Sequence, residues 1–91
     1  MKTMRALANI AQDLYESVSA QISEPLRTHI FENLESGEEG VVVDNILDWA
    51  IESNVSINEK FWSELVDFYE PLNDRFDVIT KANLAKVAHA A

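Results

Sequence analysis

Residue types that could carry out chemistry are sparse in this sequence, with one exception. The two histidines, His29 and His89, stand alone and far apart, whereas metal sites usually show His or Cys at short spacing. Cysteine is absent, which removes disulfides, thiolate metal sites and thiol nucleophiles together. There is no calcium-type alternation of Asp and Asn around a glycine, no Gly-rich phosphate loop, and no motif supporting Ser-His-Asp chemistry. What remains is carboxylate: sixteen Asp and Glu stand against seven Lys and Arg, a formal net charge of −9. Paired carboxylates do acid–base work where a cleft raises the pKa of one of them, and a small chain of this kind offers no evident cleft. The expectation is a protein with no catalytic activity, metal or cofactor, which acts by binding.

The acids are unevenly distributed. Between Glu32 and Asp77 thirteen acids meet only Lys60 and Arg75, a local balance of −11, while the remaining ends sum to +2. Glu38, Glu39, Asp44, Asp48 and Glu52 are spaced to populate one exposed side of a helix and its entry turn, since residues four apart share a face. Like charges at that spacing mildly destabilise a helix, so local stability does not explain their presence. Each acid taken singly also reads as solvated surface, and Glu38 and Glu39 suit a helix N-terminus. Taken as a block, together with Asp67 and Glu70, they read as a surface for a basic partner. Trp49, between the aliphatic and acidic faces, is either a binding anchor or a peripheral core residue. Trp62 reads as structural, and Tyr69 as core packing or a contact beside Asp67 and Glu70.

Positioning these residues falls to amphipathic helices. Over residues 3–22, Leu7, Ile10, Leu14, Val18 and Ile22 recur every three or four positions, the mark of a helix with one apolar face. Ser23-Glu24-Pro25 then supplies a cap residue and a first-turn proline for a second helix carrying Leu26, Ile30, Phe31 and Leu34 inward. Gly37 falls where a left-handed C-terminal cap is expected, and Gly40 gives a second flexible point, so the two define a tight turn. A third helix runs from Glu38 or Val41 to Ser53, with Val43, Ile46, Leu47, Ala50 and Ile51 inward and Asn54 at its end. Asn58 caps a fourth, with Ile57 stapled on Trp62 and an inner face of Phe61, Leu65, Phe68 and Tyr69. Pro71 breaks the chain before one or two short helices carrying Leu72, Phe76, Ile79, Leu84 and Val87. The fold class is all-α: one domain over residues 1–91, a compact bundle of four to five short antiparallel helices.

Composition narrows the partners. An excess of acid disfavours nucleic acid and anionic membrane as ligands and favours basic surfaces. The longest purely aliphatic run, Val41-Val42-Val43, is far short of the ~20 residues that span a bilayer. Asn9, Gln12 and Asp13 interrupt the apolar stretch that a signal peptide would need, so a cytoplasmic location is expected. Whether the chain pairs with a second copy through leftover apolar surface is left open by the sequence.

The stretch from Glu35 to Trp49, Glu-Ser-Gly-Glu-Glu-Gly-Val-Val-Val-Asp-Asn-Ile-Leu-Asp-Trp, followed by Glu52 and by Val55-Ser56-Ile57-Asn58-Glu59, resembles the small helical immunity proteins of bacterial toxin systems, in particular the MafI type. Gly37-Glu38, Val43, Asp44, Ile46, Ile57 and Asn58 occupy the family's places, with Val43 standing for an expected alanine and Asn58 for the usual serine cap. The match covers residues 35–70. It implies a cytoplasmic antitoxin of the contact-dependent growth inhibition kind, which binds the toxic C-terminal domain of a delivered effector, often a nuclease. Two other readings compete. An acyl carrier is also a small acidic bundle, but it needs a modifiable serine in an Asp-Ser-Leu context, and neither Ser36 nor Ser56 has one. An acidic adaptor or regulatory subunit binding another basic protein shares every feature of the antitoxin except the resemblance.

Overall fold

The first apolar repeat folds into helix α1, Leu7–Val18, which buries Ile10, Ala11, Leu14 and Val18. The structure, a computed structural model, describes residues 6–69 and Pro71, and among these it is helical with no strand. Helix α1 starts at Leu7, later than the Thr3 expected, because Ala6 before it is extended with ψ 145°. Its end comes earlier than the periodicity predicts. The chain tightens into a 3-10 turn at Ser19–Gln21, and the Ile22 amide reaches the Ser19 carbonyl at 3.2 Å. Such a turn closes a helix end without a glycine, and Ile22 remains buried although its backbone is extended.

Helix α2, Leu26–Glu35, begins behind Pro25 as expected, but its cap is not Ser23. The Glu24 carboxylate accepts from the Thr28 backbone N–H at 2.9 Å, and the Thr28 hydroxyl donates to its other oxygen. A glutamate has the reach to cap from that position, one residue before the proline. Its carboxyl is held below the ordinary value, chiefly by the Thr28 hydroxyl and with a smaller contribution from the Arg27 guanidinium 3.6 Å away. Ile30 is buried and Leu26 and Leu34 are half-buried, yet Phe31, expected inward, is 43% exposed. The apolar stripe of α2 is narrow, and one residue beyond Ile30 already points off it. The Phe31 ring instead lies 6.0 Å from that of Tyr15 on α1.

Gly37 makes the next turn alone. At φ +77° it lets its own N–H reach the Leu34 carbonyl at 3.3 Å and the Glu38 N–H reach that of Asn33 at 2.9 Å, a Schellman closure. Gly40, expected as a second flexible point, is already helical within α3, Glu39–Glu52. Helix α3 buries Val42, Val43, Ile46, Leu47 and Ala50; Val42, not expected inward, is fully buried on one flank of this arc, while Ile51, expected inward, is only half-buried on the other. Asn54, at φ +59°, ends it with the same pair of bonds, Asn54 N–H to Ile51 at 3.2 Å and Val55 N–H to Ala50 at 2.8 Å. The Asn58 side-chain oxygen then accepts from the Lys60 N–H at 2.9 Å and caps α4, Glu59–Tyr69, as expected. Ile57, Phe61, Leu65 and Tyr69 are buried, while Phe68 and Trp62 are half-buried against the core. The helices expected after Pro71 lie outside the described residues.

Helix α1 is the hub. It packs on α2, α3 and α4, and α3 also packs broadly along α2. One apolar cluster, from Ile10 to Tyr69, joins all four helices, so the side of α3 turned away from α1 and α2 is fixed by a fully buried opposite side.

Candidate partner-binding face

With Val43, Ile46, Leu47 and Ala50 all fully buried, the geometry of an α-helix turns Val41, Asn45, Asp48 and Glu52 the other way. Their spacing of four, three and four residues keeps them on one outward strip. Asp48 and Glu52 are exposed, Asn45 is half-buried, and Val41 is 41% exposed. Asp44 and Trp49 form the two shoulders. Both are half-buried, Trp49 packs against the core at its edge as expected, and Oδ1 of Asp44 is hidden from solvent. The exposed acidic side predicted for α3 is thus real at Asp48 and Glu52, whereas Asp44 is partly drawn into the structure.

The other predicted contact residues are more dispersed. Glu38 is exposed in the turn before α3, and its backbone N–H is used in the Schellman closure. Glu39 opens α3 half-buried, and its carboxylate suits the positive end of the helix. Asp67 is half-buried on α4, which packs on α1, and Glu70 lies outside the described residues.

Electrostatically the strip works against its own helix. Asp44, Asp48 and Glu52 stack like charges four apart, costing about 0.2–0.5 kcal/mol per pair in an isolated helix. Glu52 is the last residue of α3, which carries no basic residue in its final turn. A carboxylate at the negative end of the helix dipole costs about 0.3–1 kcal/mol more when exposed. No Lys or Arg occurs between Arg27 and Lys60 in the sequence, so the helix itself supplies no cation to offset this. The chain matches no protein-family model, no curated protein and no solved structure. The face is therefore read from its own residues.

Among the described residues no group of three or more His, Asp or Glu is gathered in a way that could hold a metal ion. His29 is exposed on α2, its Nε2 3.2 Å from the Asn33 side-chain nitrogen. Chemically, the α3 strip can attract cations and offer a limited apolar contact. Sequence reasoning missed Val41 as a part of it, because in a run of three valines the outward one looks like the inward two. The signal was available in spacing: Val41 stands seven residues before Asp48 and so shares its face.

Proposed function

We infer that this chain is an immunity protein, which binds the toxic C-terminal domain of a cognate bacterial toxin and neutralises it by covering a basic surface. The observation that carries the reading is the outward strip of α3, where Asp48 and Glu52 are kept exposed at positions unfavourable to the helix itself. Charge retained at a local cost is explained when it serves another molecule. The resemblance of residues 35–70 to MafI-type immunity proteins supplies the kind of molecule. Nuclease domains engage phosphate through basic clefts, so an acidic helical face placed over such a cleft excludes substrate by occupancy and by charge. The mechanism requires no reaction. It requires a preorganised surface, carboxylates that accelerate encounter, and anchors such as Trp49. An acidic adaptor of another basic protein shares this electrostatic logic and is the alternative.

The test is growth of bacteria expressing the C-terminal domain encoded by the adjacent upstream reading frame, with and without this protein. Arrest relieved by co-expression supports immunity. A harmless domain, or arrest that co-expression leaves unchanged, removes the reading and favours the adaptor.

A further inference from the structure

Only two large hydrophobic side chains are strongly exposed among the described residues, Phe31 at 43% and Val41 at 41%. Phe31 belongs to a patch rather than standing alone: its ring lies 6.0 Å from that of half-buried Tyr15 on α1. On α2, Arg27 stands four residues before Phe31 and Glu35 four residues after it, a spacing that keeps all three on one side of the helix. Glu35 is exposed, and Arg27 is half-buried with its guanidinium 3.6 Å from the Glu24 carboxylate. This side therefore runs cation, aromatic ring, anion, with the ring at its centre. Such an order is complementary to itself when turned end for end. Closed dimers are built on patches of this kind, in which one residue meets a second and the second meets the first across a two-fold axis.

We propose that the chain forms a weak two-fold dimer through the Tyr15–Phe31 patch, with α2 of the two copies antiparallel: Phe31 packs at the axis, and Arg27 of each copy faces Glu35 of the partner subunit. The register is symmetric about the ring, since each charge lies about 6 Å along the helix from Phe31. Charge complementarity selects both the occupant and its direction, because a parallel pair sets Arg27 against Arg27 and Glu35 against Glu35. A guanidinium carries five N–H donors, so the contact of Arg27 with Glu24 is compatible with a second carboxylate. Two features keep the dimer weak. One aromatic pair from each copy makes a small interface, below the ~1,200 Å² of a stable one. The net charge of −9 on each copy also opposes approach. The side of α3 turned away from α1 and α2 stays uncovered, so this proposal does not depend on the immunity reading.

The experiment is sedimentation equilibrium of the intact protein at concentrations from micromolar to about 1 mM, the range in which weak contacts saturate. The proteins compared are the wild type, Phe31→Ser, Val41→Ser, Arg27→Glu, Glu35→Arg, and the two charge reversals combined. Circular dichroism and thermal midpoints check that each remains folded. Wild type is expected to pass from monomer to dimer within this range. Phe31→Ser is expected to weaken the dimer by about tenfold or more, since the truncation acts on both copies. Val41→Ser, on another helix, is expected to dimerise like wild type. Each single reversal sets like charges opposite one another and is expected to weaken the dimer about fivefold. The combined reversal restores the complementary order and is expected to dimerise within about twofold of wild type. A wild type that is monomeric throughout, or Phe31→Ser that dimerises as well as wild type, overturns the proposed face. A combined reversal no tighter than either single one overturns the antiparallel register.

Discussion

Two residues in left-handed backbone close helices α2 and α3, and they do so with different side chains. Gly37 at φ +77° tolerates that conformation without cost, and a Cβ built there would meet only the Glu39 carboxylate, 4.0 Å away. Gly37→Ala should therefore destabilise by about 1–2 kcal/mol from backbone strain alone, with no steric addition. Asn54 holds the equivalent place after α3 at φ +59°, where glycine is the better residue. Asn54→Gly should shift the denaturation midpoint upward, and comparison of the two variants by urea unfolding checks both signs. Glu24 provides a pH-dependent counterpart. Its carboxyl is held below its ordinary value of 4.5, chiefly by the Thr28 hydroxyl, so the folded state favours the charged form. Its contribution is present above the unfolded value and is lost as pH falls through the lower, folded one. Glu24→Gln should accordingly be less stable than wild type at neutral pH, and the gap should close in acid. The effect should be small, since the group is on the surface and screened.

At the scale of elements, α3 carries charges that work against its own stability and that the proposed function would use. Glu52→Lys places a cation at the C-terminal end of that helix and relieves the repulsion from Asp48 four residues earlier. It should raise stability by about 0.3–1 kcal/mol, read as a higher thermal midpoint, while weakening toxin binding. Asn58 does the reverse service for α4: Asn58→Ala removes the oxygen bound to the Lys60 N–H and should cost about 1 kcal/mol, seen as loss of amide protection in that helix's first turn. Much of this level was legible in the sequence. The 3.6-residue repeat gave the inward residues of α1, and Gly37, Asn54 and Asn58 announced their caps by type and place. Less legible were features that depend on neighbouring helices. Whether Val42 or Ile51 faces the core depends on where α1 and α2 sit around α3. The exposure of Phe31 follows from a narrow stripe, which an apolar letter in the sequence does not reveal. Glu24 displaced Ser23 as the cap of α2 because a longer side chain can serve from further away, a geometric fact outside the usual pattern of cap residues.

For the molecule as a whole, the described residues pack α2, α3 and α4 on α1, bury one apolar cluster and leave α3 with a fixed outward side. On the proposed function, this packing holds the charged strip in place, and preorganisation of that kind lowers the cost of binding. The candidate site was legible in the sequence as a block of acids, but not in its geometry: Asp48 and Glu52 are displayed, while Asp44 is partly withdrawn with one oxygen hidden. A charge reversal that includes Asp44 would test folding as much as binding, so the decisive variant leaves it untouched. That measurement is growth of bacteria expressing the C-terminal domain encoded by the adjacent upstream reading frame, with wild type or with the Asp48→Lys, Glu52→Lys double variant, helical content and thermal midpoint being recorded for both. The account predicts a double variant that remains helical and folded but no longer restores growth. A folded double variant that protects as well as wild type would contradict the claim that the acidic strip of α3 neutralises the toxin.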